Sequence, residues 1–154
     1  MALRVDDVAE VILPIDTAAY AAGDLMSLAT EVERVCVENH PSYIVSLTVL
    51  DYDDQGGDID LLVFRTHPGV LGVVNAPIAI TNAQAQEILC CVLVRAADYI
   101  DLGAQRLAQP EFYARKVRPA DGQTSLWVAA VCRTGQVTYP SGRLLLKVGT
   151  VKEE

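Results

Sequence analysis

Five aspartates crowd into the ten residues DYDDQGGDID (51–60): Asp51, Asp53, Asp54, Asp58 and Asp60. Carboxylates at that density repel one another unless a cation or hydrogen-bond donors relieve them. Counted from Asp51, oxygen-bearing side chains stand at positions 1, 3 and 5 (Asp51, Asp53, Gln55), with Gly56 sixth. That is the first half of a helix-loop-helix calcium loop. The second half fails, because position 12 is Leu62 where a bidentate Glu must close the coordination sphere. Asp51, Asp53 and Asp58 are the calcium candidates. The competing reading is a tight hairpin, in which Gly56 and Gly57 supply positive φ and Asp side chains bond their own backbone. The flanks YIVSLTVL and IDLLVF are strand-like, which favours the hairpin.

The other reactive side chains are sparse. Cys36, Cys90, Cys91 and Cys132 each lie inside an apolar run. Adjacent Cys90 and Cys91 would point to opposite faces of a strand and would not easily grip one ion. All four read as free thiols serving as small apolar core residues. His40 and His67 each precede a proline, which marks extended or turn segments, and neither has a Ser, Asp or Cys at a catalytic spacing. No nucleophile–base constellation appears, so the expectation is a chain without catalysis, cofactor or resident metal.

The 154 residues suit one domain, and 51% of them are apolar, which excludes a disordered chain. Twelve scattered basic residues against twenty acidic ones, a net charge of −8, do not make a nucleic-acid surface. No apolar run approaches a membrane span. MALRVDDVAE carries three acidic residues where a signal peptide needs an apolar core, so the chain is expected to be soluble and made without secretion. An acidic surface fits docking onto a basic protein partner.

The elements that must position these residues are short apolar runs separated by turn chemistry. They are VAEVIL (8–13), EVERVCVE (31–38), YIVSLTVLDY (43–52), IDLLVFR (59–65), CCVLVRA (90–96), FYARKVR (112–118), TSLWVAAVCR (124–133) and RLLLKVG (143–149). Their length and β-branched content predict an all-β protein: an antiparallel β-sandwich or barrel, jelly-roll-like, with one short helix. The helix falls at TNAQAQEILC (81–90), with Thr81 as N-cap, and 98–110 reads as a second short helix or an irregular connection. Residues 1–14 read as an N-terminal arm or edge strand ending at Pro14, and 15–154 as a single sandwich domain.

At IDTAAYAAGDLM (15–26) the pattern Asp-Thr-x-x-Tyr-x-x-Gly-Asp resembles the N-terminal segment of a group of small structural proteins of tailed bacteriophages. In their order, IVSLTVLDYDDQGGDIDLLVF (44–64), NAPIAITNAQ (75–84) and LWVAAVCRTGQVTYPSGRLLLKVG (126–149) resemble its later pieces. Ile78 stands where the group has an aromatic, and residues 98–123 have no counterpart.

The resemblance implies a capsid decoration, or cement, protein: a virion component on the capsid surface, assembled in the host cytoplasm. Such a protein would bind the major capsid protein, with no nucleic acid or membrane partner, and a homotrimer would match a junction of three capsomers. The interface candidates are Val8, Val11, Ile12 and Leu13 on the arm, and Tyr20, expected to pack over the Gly23 corner with its hydroxyl at the surface. The alternative from the acidic loop is a calcium-dependent ligand- or carbohydrate-binding β-sandwich module.

Overall fold

Ten strands are divided between two antiparallel sheets in a computed structural model that describes residues 4–111 and 114–153. In chain order they are β1 (Arg4–Pro14), β2 (Thr30–Val32), β3 (Ser42–Asp51), β4 (Ile59–Phe64), β5 (Ile88–Val94), β6 (Tyr99–Asp101), β7 (Arg106–Ala108), β8 (Arg115–Val117), β9 (Leu126–Cys132) and β10 (Arg143–Glu153). One sheet runs β1-β10-β3-β7-β6, with β8 pairing the opposite end of β3 from β7; the other runs β2-β9-β4-β5. Among the described residues no ladder joins them, so the protein is an antiparallel β-sandwich.

The core lies between the sheets. Leu13, Leu47, Val49, Leu144 and Leu146 of the six-stranded sheet meet Ile59, Leu61, Val63, Val94, Val128 and Ala130 of the other. Burying one Leu or Ile side chain contributes about 1.5–3 kcal/mol. Alternation along β10 from Arg143 to Val148 follows from having one dry face there. On β3 the alternation breaks at Val45 and Ser46, where the register against β10 shifts between Gly149 and Thr150. The bulge lets Ile44 and Leu47 both face inward, although they are an odd number of residues apart.

β4 is buried on both faces. Leu61 and Val63 face the sandwich core, while Phe64 packs with Leu25, Leu71 and Ala129 in a second cluster on the outer face of the four-stranded sheet. The segment following β4 covers that face. It is tied down by Leu25 N–H to the Ala76 carbonyl (2.9 Å), Asn75 N–H to the Leu25 carbonyl (2.8 Å) and Ala79 N–H to the Leu71 carbonyl (2.8 Å). These contacts give 15–26 a folding role. Gly23, at φ +97°, makes the left-handed corner, and its N–H donates to the Cys132 carbonyl at 2.7 Å.

Several expectations need correction. The run 31–38 is strand only at Thr30–Val32; Arg34 takes a positive φ and the chain turns. The 98–110 segment is a β6–β7 hairpin preceded by a single 3-10 turn at Ala96–Asp98. The helix α1 is Asn82–Gln86, with Thr81 as N-cap in a capping box; Ile88 onward belongs to β5. Of FYARKVR, Phe112 and Tyr113 lie outside the described residues, as do residues 1–3 of the arm. Residues 51–58 are no hairpin: β3 pairs β10, β7 and β8, whereas β4 pairs β5 and β9. Consecutive strands are neighbours only about two-thirds of the time, and this stretch crosses from one sheet to the other.

Candidate interaction surface

The acidic crossing is held by the protein's own donors. Asp51 is fully buried, and its carboxylate accepts N–H groups of Asp53, Gln55 and Gly56, each at 2.8 Å. Asp53 accepts the Ser141 hydroxyl at 2.6 Å, Asp54 pairs Arg106 at 2.6 Å, and Asp58 accepts Ala96 N–H at 2.7 Å. Asp60 sits between Arg95 (3.0 Å) and Arg133 (2.6 Å). Mutual repulsion is thus relieved by amides, a hydroxyl and guanidinium groups on different segments. Among the described residues no three Asp, Glu, His or Cys side chains converge as metal ligands would, so Asp51, Asp53 and Asp58 are not brought together. Gly56 has φ +60°, as a tight corner requires, but Gly57 does not share it. A Cβ at Gly57 would lie 2.9 Å from the Tyr139 hydroxyl, so its constraint is steric.

The five interface candidates divide. Tyr20 is 1% exposed, contrary to expectation. Its hydroxyl accepts Asp16 N–H at 2.6 Å and lies 3.2 Å from the carbonyls of Asp16 and Met26, to either of which it donates. The corner folds back over the ring, and burial pushes the phenol up to about 12. Leu13 also belongs to the core, and Val11 is partly buried against it. Period-two alternation decides this: Ala9, Val11 and Leu13 face inward, while Val8 (59% exposed) and Ile12 (42%) face out.

Ile12 opens a line that sequence reading missed. It pairs Leu145 on β10, Leu145 pairs Leu50 on β3, Leu50 pairs Leu107 on β7, and Leu107 pairs Ile100 on β6. Directly paired residues share a face, so five aliphatic side chains form one row, roughly 19 Å long, across the outer face of the six-stranded sheet. Ile12 and Ile100 (58%) are exposed, and the three leucines between them are partly exposed. Only their identity as outward-parity aliphatics on separate strands could have hinted at this, and register is what joins them. The row below it is polar, with Glu10 bonded to Lys147 at 3.3 Å.

All four cysteines are free. Burial raises Cys36 and Cys90 to about 11 and Cys132 and Cys91 in the same direction. Cys91 is exposed, which corrects the expectation of four core thiols; Cys90 and Cys91 do face opposite ways. His67 accepts Gly69 N–H at 2.9 Å and stacks edge-on to Trp127 at 4.6 Å, a turn-closing role. No helix among the described residues is long and apolar enough to cross a membrane.

No family model matches the chain, and no curated protein matches it. Among solved structures, one that is similar along the chain is a component of the cryo-EM structure of rhinovirus-B5. It is 13% identical, with a TM-score of 0.31, over 98% of this chain and 72% of that one. A likeness at that TM-score carries no functional assignment.

Proposed function

We propose that this protein is a virion structural component of the capsid-decoration (cement) class, docking on the major capsid protein of a tailed bacteriophage. The observation that carries the reading is the aliphatic row Ile12–Leu145–Leu50–Leu107–Ile100 on the outer face of the six-stranded sheet. The opposite outer face is covered by the chain's own 71–80 segment, which leaves the six-stranded face for a partner. The order of motifs from Asp16 to Gly149 supplies the class of partner. Cement would act by adding buried area across capsomer joints, so that separating capsomers exposes more apolar surface. No catalysis is assigned.

The net charge of −8 favours a basic patch on the shell, so attachment weakens as salt rises. A homotrimer, matching a three-capsomer junction, gives a light-scattering mass near three times the 16.6 kDa chain. β1 contributes through Val8 and Ile12, because all eleven of its residues are paired in their own sheet.

Co-sedimentation with shells assembled from the major capsid protein of the same phage tests the reading. The chain should pellet with the shells, and Leu50→Asp with Leu107→Asp should lose at least tenfold in affinity with an unchanged β spectrum. Undiminished binding by that folded variant, or none by the natural chain, would end the proposal.

A further inference from the structure

β1 and β2 are the edge strands of their respective sheets and lie on the same open side of the sandwich, where they line one groove. β1 is eleven residues long and β2 only three, so most of β1 has no strand facing it from that side. Between them runs a groove of about 650 Å³, lined along six consecutive β1 residues, Asp7 to Ile12, with Glu31, Glu33 and Arg34 as the other wall. Six residues of strand span roughly 20 Å.

The backbone direction of β1 follows from two bonds. Ile15 N–H donates to the Gly142 carbonyl at 2.9 Å, continuing the ladder toward β10, whereas Val8 N–H is taken by its own neighbour Asp7 at 2.8 Å. Antiparallel pairing alternates, so odd-numbered residues bond β10, and Val8, Glu10 and Ile12 turn their N–H and C=O groups to the groove. Pro14, which has no N–H to offer, falls in the same outward set. Among the described residues no strand pairs β1 on that side, so the Glu10 and Ile12 N–H groups meet no ladder. An unpaired row of this kind is a template for another strand.

The geometry points to a strand-addition site: the β1 groove takes an extended segment of a partner protein with alternating basic and apolar residues. Acidic lining fixes the charge, since Asp7, Glu10, Glu31 and Glu33 stand against the single Arg34. Lys152 at 3.1 Å from Asp7, and Lys147 near Glu10, neutralise part of this from the sheet side, which leaves Glu31 and Glu33 as the discriminating charges. A segment hydrogen-bonded to β1 would set one parity of side chains beside exposed Val8 and Ile12, and the other toward the Glu31–Arg34 wall. This site uses the backbone edge of β1 and shares only Val8 and Ile12 with the outer-face reading.

The probe is the acetylated, amidated hexapeptide Lys-Val-Lys-Val-Lys-Val, titrated into the full chain and followed by amide chemical shifts. Saturable shifts should centre on residues 7–12 and 31–34. A peptide with alternate amides N-methylated keeps the charge but loses the donors and should bind at least tenfold more weakly. Glu31→Gln with Glu33→Gln should weaken binding severalfold, as should Glu10→Pro, which removes one outward N–H and leaves the β1–β10 ladder intact. Equal binding of the N-methylated peptide would reduce the effect to charge alone and overturn the site. So would shifts centred elsewhere, or none at millimolar peptide. Loss of capsid docking with peptide binding retained would refute only the decoration reading.

Discussion

The buried carboxylate of Asp51 accepts the backbone N–H of Gly56 at 2.8 Å, five residues along the chain. It accepts two further amides, from Asp53 and Gln55, so one side chain organises the whole crossing from β3 toward β4. Asp51→Ala strands the buried Gly56 donor and frees the others to water. The expected cost is about 3 kcal/mol, a fall of roughly 10 °C in Tm, with Asp51→Asn intermediate. Thermal melts check this, and a loss under 1 kcal/mol would contradict it.

Millimolar calcium should leave the melting temperature of the natural chain unchanged, because Asp51, Asp53 and Asp58 are turned to separate donors. A rise of several degrees that Asp51→Ala with Asp53→Ala abolishes would restore the calcium-dependent ligand-binding alternative.

Asp60 is 10% exposed between two guanidinium groups that are each about two-fifths exposed. Asp60→Ala should cost about 2 kcal/mol, since both arginines can turn to water. Arg95→Ala or Arg133→Ala alone should cost less than about 1 kcal/mol, because the other still pairs the carboxylate. Urea unfolding of the three variants orders these values, and an arginine variant as damaging as Asp60→Ala would refute the shared arrangement.

Two buried phenols behave oppositely. Tyr20→Phe removes the hydroxyl that accepts Asp16 N–H and should cost about 1–2 kcal/mol. The Tyr139 hydroxyl has no partner among the described residues, so Tyr139→Phe should be neutral or stabilising. The same change should relieve Gly57→Ala, whose added methyl meets that hydroxyl. Additive losses in the double variant would show that the clash is not the cause.

Alkaline pH should unfold the protein through groups whose native values are raised. The stability each contributes is complete below its unfolded value and lost as pH climbs through the native one. For Cys36 and Cys90 that window opens near 9.0 and closes about 11; for Tyr20 it runs from 10.0 to about 12. Stability should therefore hold up to pH 9 and decline above it, with the phenolate absorbance of the buried Tyr20 appearing only as the fold is lost. Early, non-cooperative appearance of the full phenolate signal would contradict the burial.

The sequence by itself determined the fold class and most of the strands. Runs such as YIVSLTVLDY and RLLLKVG have the length and branching of strands, and the Thr81 N-cap is a local signal written in neighbouring residues. It also determined that Gly23 turns a corner. Which strands are neighbours was decided only by the tertiary structure, because pairing depends on partners distant in the chain. The acidic stretch has the local chemistry of a hairpin, and nothing within it says that β3 and β4 belong to different sheets. Tyr20 carries the residue type of a surface phenol until the 15–26 corner closes over it. The aliphatic row is the clearest instance: Ile12, Leu50, Ile100, Leu107 and Leu145 are unremarkable singly, and only antiparallel register sets them side by side. The open edge of β1 likewise exists because β2 is three residues long and cannot face the whole of it, a length set where the chain turns at Arg34.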